Sequence, residues 1–187
     1  DDVESVGLLK IDFLGIRYLT MVSNIVDQIK KDNPSFDITK INYADQKVYN
    51  LFTQGRTEGI FQFESSGMKE KLRLLRPTEF NDIVAMNALY RPGPMAQIET
   101  YVRRKHGEEK VVYPHHHLEK ILRDTYGVIV YQEQIMLIAV NFAHMSLNEA
   151  DNMRRAVSKK KKEDLEYYGR IFIEKSVAAG YDLNIAK

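Results

Sequence analysis

The sequence predicts a mainly α fold with a few short strands, an α+β arrangement in which helices carry most of the core. Three observations point there. Apolar residues recur at three- and four-residue intervals in one window after another, prolines and glycines punctuate those windows where helices must stop, and only three short runs look like strands.

The first such run is Gly7-Leu-Leu-Lys-Ile-Asp-Phe-Leu-Gly15, where alternation places Leu8, Lys10, Asp12 and Leu14 on one face and Leu9, Ile11 and Phe13 on the other. Met21, Val22, Ile25, Val26 and Ile29 then predict a helix over 17–31, closed before Asn33-Pro34. A second helix fits 43–54, with Val48, Leu51 and Phe52 inward and Gly55 in the C-terminal cap position. Gly59–Phe63 reads as a strand, after which Ser65 or Ser66 caps a helix carrying Met68, Leu72 and Leu75 that Pro77 ends. Another helix fits 79–90. Arg91-Pro-Gly-Pro94 forces a turn before a helix running from Met95 to Gly107. Val128–Tyr131 reads as a strand leading into a helix through Phe142, and Ser146-Leu-Asn-Glu149 is a capping box opening the next. A last helix spans Glu163 to Ala179 and stops at Gly180. There is no internal repeat, and the only biased stretch is a run of lysines.

Composition narrows the function classes. With 187 residues, 44% of them hydrophobic and 28% charged, the chain is ordinary globular material rather than disordered. The absence of cysteine excludes disulfides and thiolate metal sites. No apolar run approaches the roughly 20 residues that span a bilayer, and the N-terminus lacks a signal-peptide pattern, so a soluble, cytoplasmic protein is expected. No GxxxxGK[ST] or GxGxxG loop and no serine nucleophile elbow occurs, which removes the usual support for dinucleotide enzymes and serine hydrolases. The chain opens at Asp1 without a methionine and stops at Lys187, as expected of a piece of something larger.

Charge is where the sequence becomes specific. Net charge is only +1, yet between Asn152 and Lys162 stand Arg154, Arg155, Lys159, Lys160, Lys161 and Lys162 with no acid. If 147–162 stays helical, Leu147, Ala150, Met153 and Val157 form an apolar stripe, while Arg155, Lys159 and Lys162 form a cationic face opposite. Like charges so spaced repel, and a triphosphate or nucleic-acid backbone is their natural counter-ion; a solvated surface quenched by Glu163, Asp164 and Glu166 is the plainer reading. Asp12 is the other candidate, a carboxylate inside an apolar run. Spacing favours an ion pair with Lys10 and leaves a metal or phosphate site as the alternative, which needs a second acid. His115-His-His117 reads as a solvated loop, because adjacent residues do not ordinarily converge on one ion, and His106 and His144 as loop or helix-end residues. Tyr131-Gln-Glu-Gln134 suits either a helix N-terminus or a substrate-facing turn.

Five stretches in order carry a resemblance: Gly7–Gly15, Phe61-Gln-Phe-Glu-Ser-Ser-Gly-Met68, Leu89-Tyr-Arg-Pro-Gly-Pro94, Tyr126-Gly-Val-Ile-Val-Tyr-Gln-Glu-Gln134 and Ala150-Asp-Asn-Met-Arg-Arg-Ala156. Together they resemble the bacterial C-family replicative polymerases, the alpha subunits of DNA polymerase III, in the DnaE-type rather than the PolC-type form, over nearly the whole chain. The resemblance implies that 1–15 is the last strand of a palm domain and 16–187 a helical fingers domain, truncated at its C-terminal end. It implies a DNA-directed DNA polymerase that adds deoxynucleoside monophosphates to a primer. Asp12 would be a catalytic carboxylate and ligand of two Mg2+ ions, with Lys10 facing the same phosphates. Arg154 and Arg155 would grip the incoming deoxynucleoside triphosphate with help from Lys159, and Arg91 and Gln132 would lie near nucleotide or template.

The implied partners are primer-template DNA, the triphosphate and the rest of the polymerase chain (palm, thumb and phosphoesterase-like domain). The sliding clamp and other replisome subunits would bind through parts not in this sequence. The other two aspartates of the family's catalytic trio would precede residue 1, so this piece alone is expected to be inactive. The competing reading is a non-catalytic helical module that binds nucleic acid or an acidic protein through 154–162; the plainest is a scaffold with a solvated basic face.

Overall fold

The computed structural model describes residues 6–9, 11, 13–159 and 162–187, with Lys159 described by its backbone only. They fall into two units, Asp1–Tyr43 and Ala44–Lys187. The first carries α1 (Arg17–Asp32) and a 3-10 turn at Ile38–Lys40, whose start is capped where the Asp37 carboxylate accepts from the Thr39 N–H. The amphipathic pattern predicted for 17–31 is there as a helix, and none of its residues is buried.

The second unit is built from short helices. α2 (Gln46–Gln54) is capped by Asp45 and ends at Gly55, whose φ of 67° is the left-handed conformation that glycine adopts freely. Its buried residues are Tyr49 and Phe52, whereas Val48 and Leu51, expected inward, stay exposed. α3 (Ser66–Leu75) is capped by the Ser65 hydroxyl and buries Met68, Leu72 and Leu75 as predicted. α4 (Phe80–Leu89) adds Ile83, Ala85, Met86 and Leu89. A 3-10 turn at Pro94–Gln97 follows the Arg91–Pro94 break and leads into α5 (Ile98–Lys105), which contributes Ile98 and Tyr101. These side chains form one apolar cluster. Each fully buried Leu or Met there stabilises the fold by about 1.5–3 kcal/mol.

The later part has no counterpart in the sequence reading until residue 128. 3-10 turns at His116–Leu118 and Arg123–Thr125 flank α6 (Glu119–Leu122). Then come α7 (Gln132–Asn141), α8 (Leu147–Lys159), α9 (Lys162–Ala178) and α10 (Leu183–Ala186). Ala139 on α7, Ala143 just after it and Ala150 on α8 are fully buried in one cluster, so small side chains sit at the contact where these helices approach. The apolar stripe of α8 differs from the expected one. Ala150 and Ala156 are buried and Met153 is partly buried, while Leu147, the first helical residue, is 72% exposed and Val157 is exposed. Lys162 belongs to α9, not to α8.

No strand occurs among the described residues, which corrects the expected short strands. Gly59–Phe63 is a pair of turns, Ile60 N–H to Thr57 O and Phe63 N–H to Ile60 O, with Gln62 at φ 66°. Val128–Tyr131 finds no ladder partner: Val128 N–H bonds Thr125 O, and the N–H groups of Val130 and Tyr131 both donate to the Gln134 side-chain oxygen. One amide side chain thus satisfies donors that a neighbouring strand would otherwise take. In the expected strand 7–15, Lys10 and Asp12 lie outside the described residues and the remainder is irregular.

Candidate functional site

The basic helix is anchored before it becomes basic. The Ser146–Glu149 capping box forms: the Glu149 carboxylate accepts from the Ser146 N–H and hydroxyl, and the Ser146 hydroxyl accepts from the Glu149 N–H. Lys175 of α9 adds an ion pair to Glu149 at 2.8 Å. That ammonium and the two Ser146 donors pull the Glu149 carboxyl from its ordinary 4.5 down to about 2.

One turn on, a carboxylate with no role in the sequence reading organises the arginines. Asp151 accepts from Arg154 through Nε and Nη2 at 2.9 and 2.8 Å, and its other oxygen meets Nε of Arg155 at 2.8 Å. The bond from Arg154, then the charges of Arg155 and Arg154, hold the Asp151 carboxyl below its ordinary range. Arg154 also donates Nη1 to the side-chain oxygen of Gln132 at 2.7 Å, and Gln132 donates on to the Ser158 hydroxyl at 3.2 Å. Ser158 in turn bonds Arg154 O. Arg154 is therefore fixed between α7 and its own helix with its side chain 24% exposed, while Arg155 projects with 61% exposed. Two guanidinium groups and one carboxylate leave a net positive charge, with Arg155 the more exposed of the two arginines.

The predicted site residues divide. Arg154, Arg155 and Gln132 are brought together on α7 and α8. The Lys159 side chain lies outside the described residues, as do Lys10 and Asp12. Arg91 lines a hollow of about 300 Å³ with Gln62, Met68, Asn87 and Tyr90, a set that shares no residue with the Arg154 network. That hollow joins two of the five stretches picked out above, since Gly67 lies so close under the Tyr90 hydroxyl that a Cβ would overlap it. Gln134, beside Gln132 in sequence, turns the other way: 5% exposed, it donates to Ile121 O and the Thr125 hydroxyl and serves the fold. His106 closes a helix end against Leu74 O, and His144 sits in the loop after α7, both as expected.

Asp151 and Ser158 were missed. The signal for Asp151 was present, three and four residues before the two arginines, the spacing at which helical side chains meet. His116 and His117 are exposed in a turn, in keeping with the solvated-loop expectation, yet one ligand nitrogen from each of His115–His117 lies within 4.8 Å of the others, because His115 has extended backbone and folds its ring back over the turn it caps. Burial, then repulsion from His116 and His117, lowers the His115 imidazole below its ordinary value. This trio is the only potential metal-holding group of three or more His, Asp or Glu among the described residues, and its nitrogen donors are not the oxygen set that magnesium takes. Both Asp151 oxygens are engaged by arginines, and the Glu149 carboxylate is engaged by Lys175 and Ser146.

A profile of the bacterial DNA polymerase III alpha subunit finger domain matches residues 18–180. The chain is 53% identical over all 187 residues to the DNA polymerase III subunit alpha of Staphylococcus aureus (strain COL), and 52% identical over the same length to that of Bacillus subtilis (strain 168). It spans 18% and 17% of those proteins, respectively. No helix among the described residues is long and apolar enough to cross a membrane.

Proposed function

This chain belongs to the family of bacterial DNA polymerase III alpha subunit finger domains, and we propose that it supplies the triphosphate grip of a DNA-directed DNA polymerase. The observation that carries the proposal is the meeting of two sequence stretches, residues 126–134 and 150–156, at the bond between Gln132 and Arg154. On this reading Arg155 makes forked bonds to the phosphates of the incoming deoxynucleoside triphosphate, Arg154 adds fixed positive charge beside it, Lys159 helps one helical turn on, and Gln132 is a positioning residue that acts through Arg154. Arg91 is assigned to nucleotide or template through the hollow beside α3.

Residues 1–15 are proposed as the edge of the palm and 16–187 as fingers. Asp12 is assigned as a Mg2+ ligand together with carboxylates from outside this sequence, and Lys10 as its phosphate-facing neighbour. Two magnesium ions bound there would activate the primer 3′-hydroxyl and stabilise the leaving pyrophosphate. Primer-template DNA, the triphosphate and the remaining palm, thumb and phosphoesterase-like domains are the proposed partners, with the clamp reached through those other parts. One of three carboxylates does not make a metal centre, so the 187 residues alone are expected to extend no primer.

The test is steady-state primer extension by the complete polymerase. Arg155→Ala removes a charge-assisted contact of about 1.5–3 kcal/mol, so the nucleotide Michaelis constant rises about tenfold to a hundredfold. Primer-template affinity stays near its starting value. A loss confined to DNA affinity, falling steeply with salt, would instead support the nucleic-acid-binding module. Asp12→Asn should abolish extension with DNA binding retained; continued turnover refutes that assignment.

A further inference from the structure

We propose that His115, His116 and His117, backed by Tyr181, form a binding site for a transition-metal ion of the zinc class, separate from the nucleotide grip. The first reason is geometric. His115 has φ −150° and ψ 148°, His116–Leu118 is a 3-10 turn, and the His117 N–H donates to Nδ1 of His115 at 3.2 Å. The cap thus folds its ring over the turn, and three rings that would diverge on an extended chain have centroids 4.2, 4.2 and 4.7 Å apart.

The second reason is support from outside the turn. The Tyr181 hydroxyl lies 2.7 Å from Nδ1 of His117, across 64 residues of sequence. Its ring stacks on Phe142 with centroids 3.8 Å apart, and the His115 ring stands edge-on to both. A histidine bonded at one ring nitrogen by a fixed partner presents the other in a defined direction, as metal-ligating histidines do. With Nδ1 held by the hydroxyl, His117 offers Nε2.

The donor set determines the ion. Three imidazoles suit Zn2+, Cu2+ or Ni2+ and not Mg2+ or Ca2+. Metal–nitrogen bonds of about 2.0–2.1 Å in a tetrahedron put the nitrogens about 3.3 Å apart, so from separations within 4.8 Å the trio must close by up to about 1.5 Å. His116 and His117 are exposed and can turn to do so, and His115 exchanges the bond from the His117 N–H for the ion. Water completes the fourth position. The bound ion would tie the turn before α6 to residue 181 just beyond α9, so its role is structural.

Calorimetric titration of Zn2+ into the complete, chelator-stripped protein tests this, read as the difference between wild type and variants. The wild type should show a one-to-one event that Mg2+ does not compete for. His116→Ala with His117→Ala should weaken it at least tenfold, and Tyr181→Phe about tenfold, the usual size of a lost supporting bond. Both histidines are exposed and the double variant loses the His117–Tyr181 bond, so its metal-free melting temperature should fall by no more than a few degrees, and only wild type should gain stability on adding Zn2+. An isotherm unchanged in the double variant, or no zinc-dependent rise in wild-type melting temperature, overturns the site. Unchanged affinity in Tyr181→Phe overturns the part assigned to Tyr181.

Discussion

Asp82 is a buried charge that links α4 to α5. Its side chain is 1% exposed and that of Lys105, 8% exposed, lies 3.0 Å from its Oδ2. The same oxygen accepts from the N–H and hydroxyl of Thr78 and from the N–H of Glu79, so one atom caps α4 and neutralises a cation at the end of α5. In Asp82→Ala the ammonium keeps, among the described residues, only the Thr78 hydroxyl at 3.0 Å. Breaking a buried pair from one side costs about 3–5 kcal/mol. The lost cap adds about 1 kcal/mol, and a saving of about 1–3 kcal/mol offsets it because Oδ1 is buried without a partner among the described residues and the variant removes it. The net expectation is a loss of about 3 kcal/mol, or a fall in melting temperature of about 6–12 °C for a domain of this size. Circular dichroism melts and denaturant titrations would measure it. The decisive comparison is Asp82→Ala with Lys105→Met, since removing both charges abolishes the stranded cation and should recover most of the loss. If the single variant costs less than about 1 kcal/mol, or the double costs the sum of the two singles, the pair is not the buried linkage inferred from its burial.

Two further perturbations have definite signs. Glu149 is ionised in the fold down to about 2 against an ordinary 4.5, so its contribution is complete above 4.5 and is lost as pH falls through 2. The stability advantage of wild type over Glu149→Gln should therefore shrink between those limits in denaturant titrations, and parallel curves would contradict the assignment to Lys175 and Ser146. At Gly67 an alanine Cβ would meet the Tyr90 hydroxyl. Overpacking of about 1–3 kcal/mol should outweigh the roughly 0.5–1 kcal/mol that alanine gains over glycine in a helix. Tyr90→Phe should restore most of the denaturant midpoint, and failure to do so would place the strain elsewhere.

What the sequence made legible follows from what is local. α3 was readable because Ser65, Met68, Leu72, Leu75 and Pro77 supply cap, stripe and stop within one short window. Val128–Tyr131 was misread because an apolar run does not say whether another strand lies beside it; here Gln134, four residues on, takes the donors. Val48 and Leu51 were placed inward by hydrophobicity alone, yet Tyr49 and Phe52 face the cluster around α3 and α4, a choice fixed by tertiary contact. At His115–His117 the exposed turn was legible, but the gathering of the three rings was not. Divergence of neighbouring side chains holds for regular backbone, and an extended cap on a 3-10 turn is not regular.

The basic helix shows the same division inside the proposed site. Arg154 and Arg155 were legible as charge, but their inequality was not, because it depends on a carboxylate in the preceding turn and an amide on another helix. Asp151 and Gln132 hold Arg154 by three bonds, so much of the entropy of ordering that side chain is already lost before any ligand arrives. Arg155, paired with Asp151 and with most of its surface in water, keeps the freedom to follow an anion. A fixed cation beside an adjustable one suits a ligand that must be taken in, held through a reaction and released. On the proposed function it also separates the two arginines experimentally: Gln132→Ala should loosen Arg154 and change nucleotide affinity only in the presence of Arg154, whereas Arg155→Ala acts directly on the phosphates.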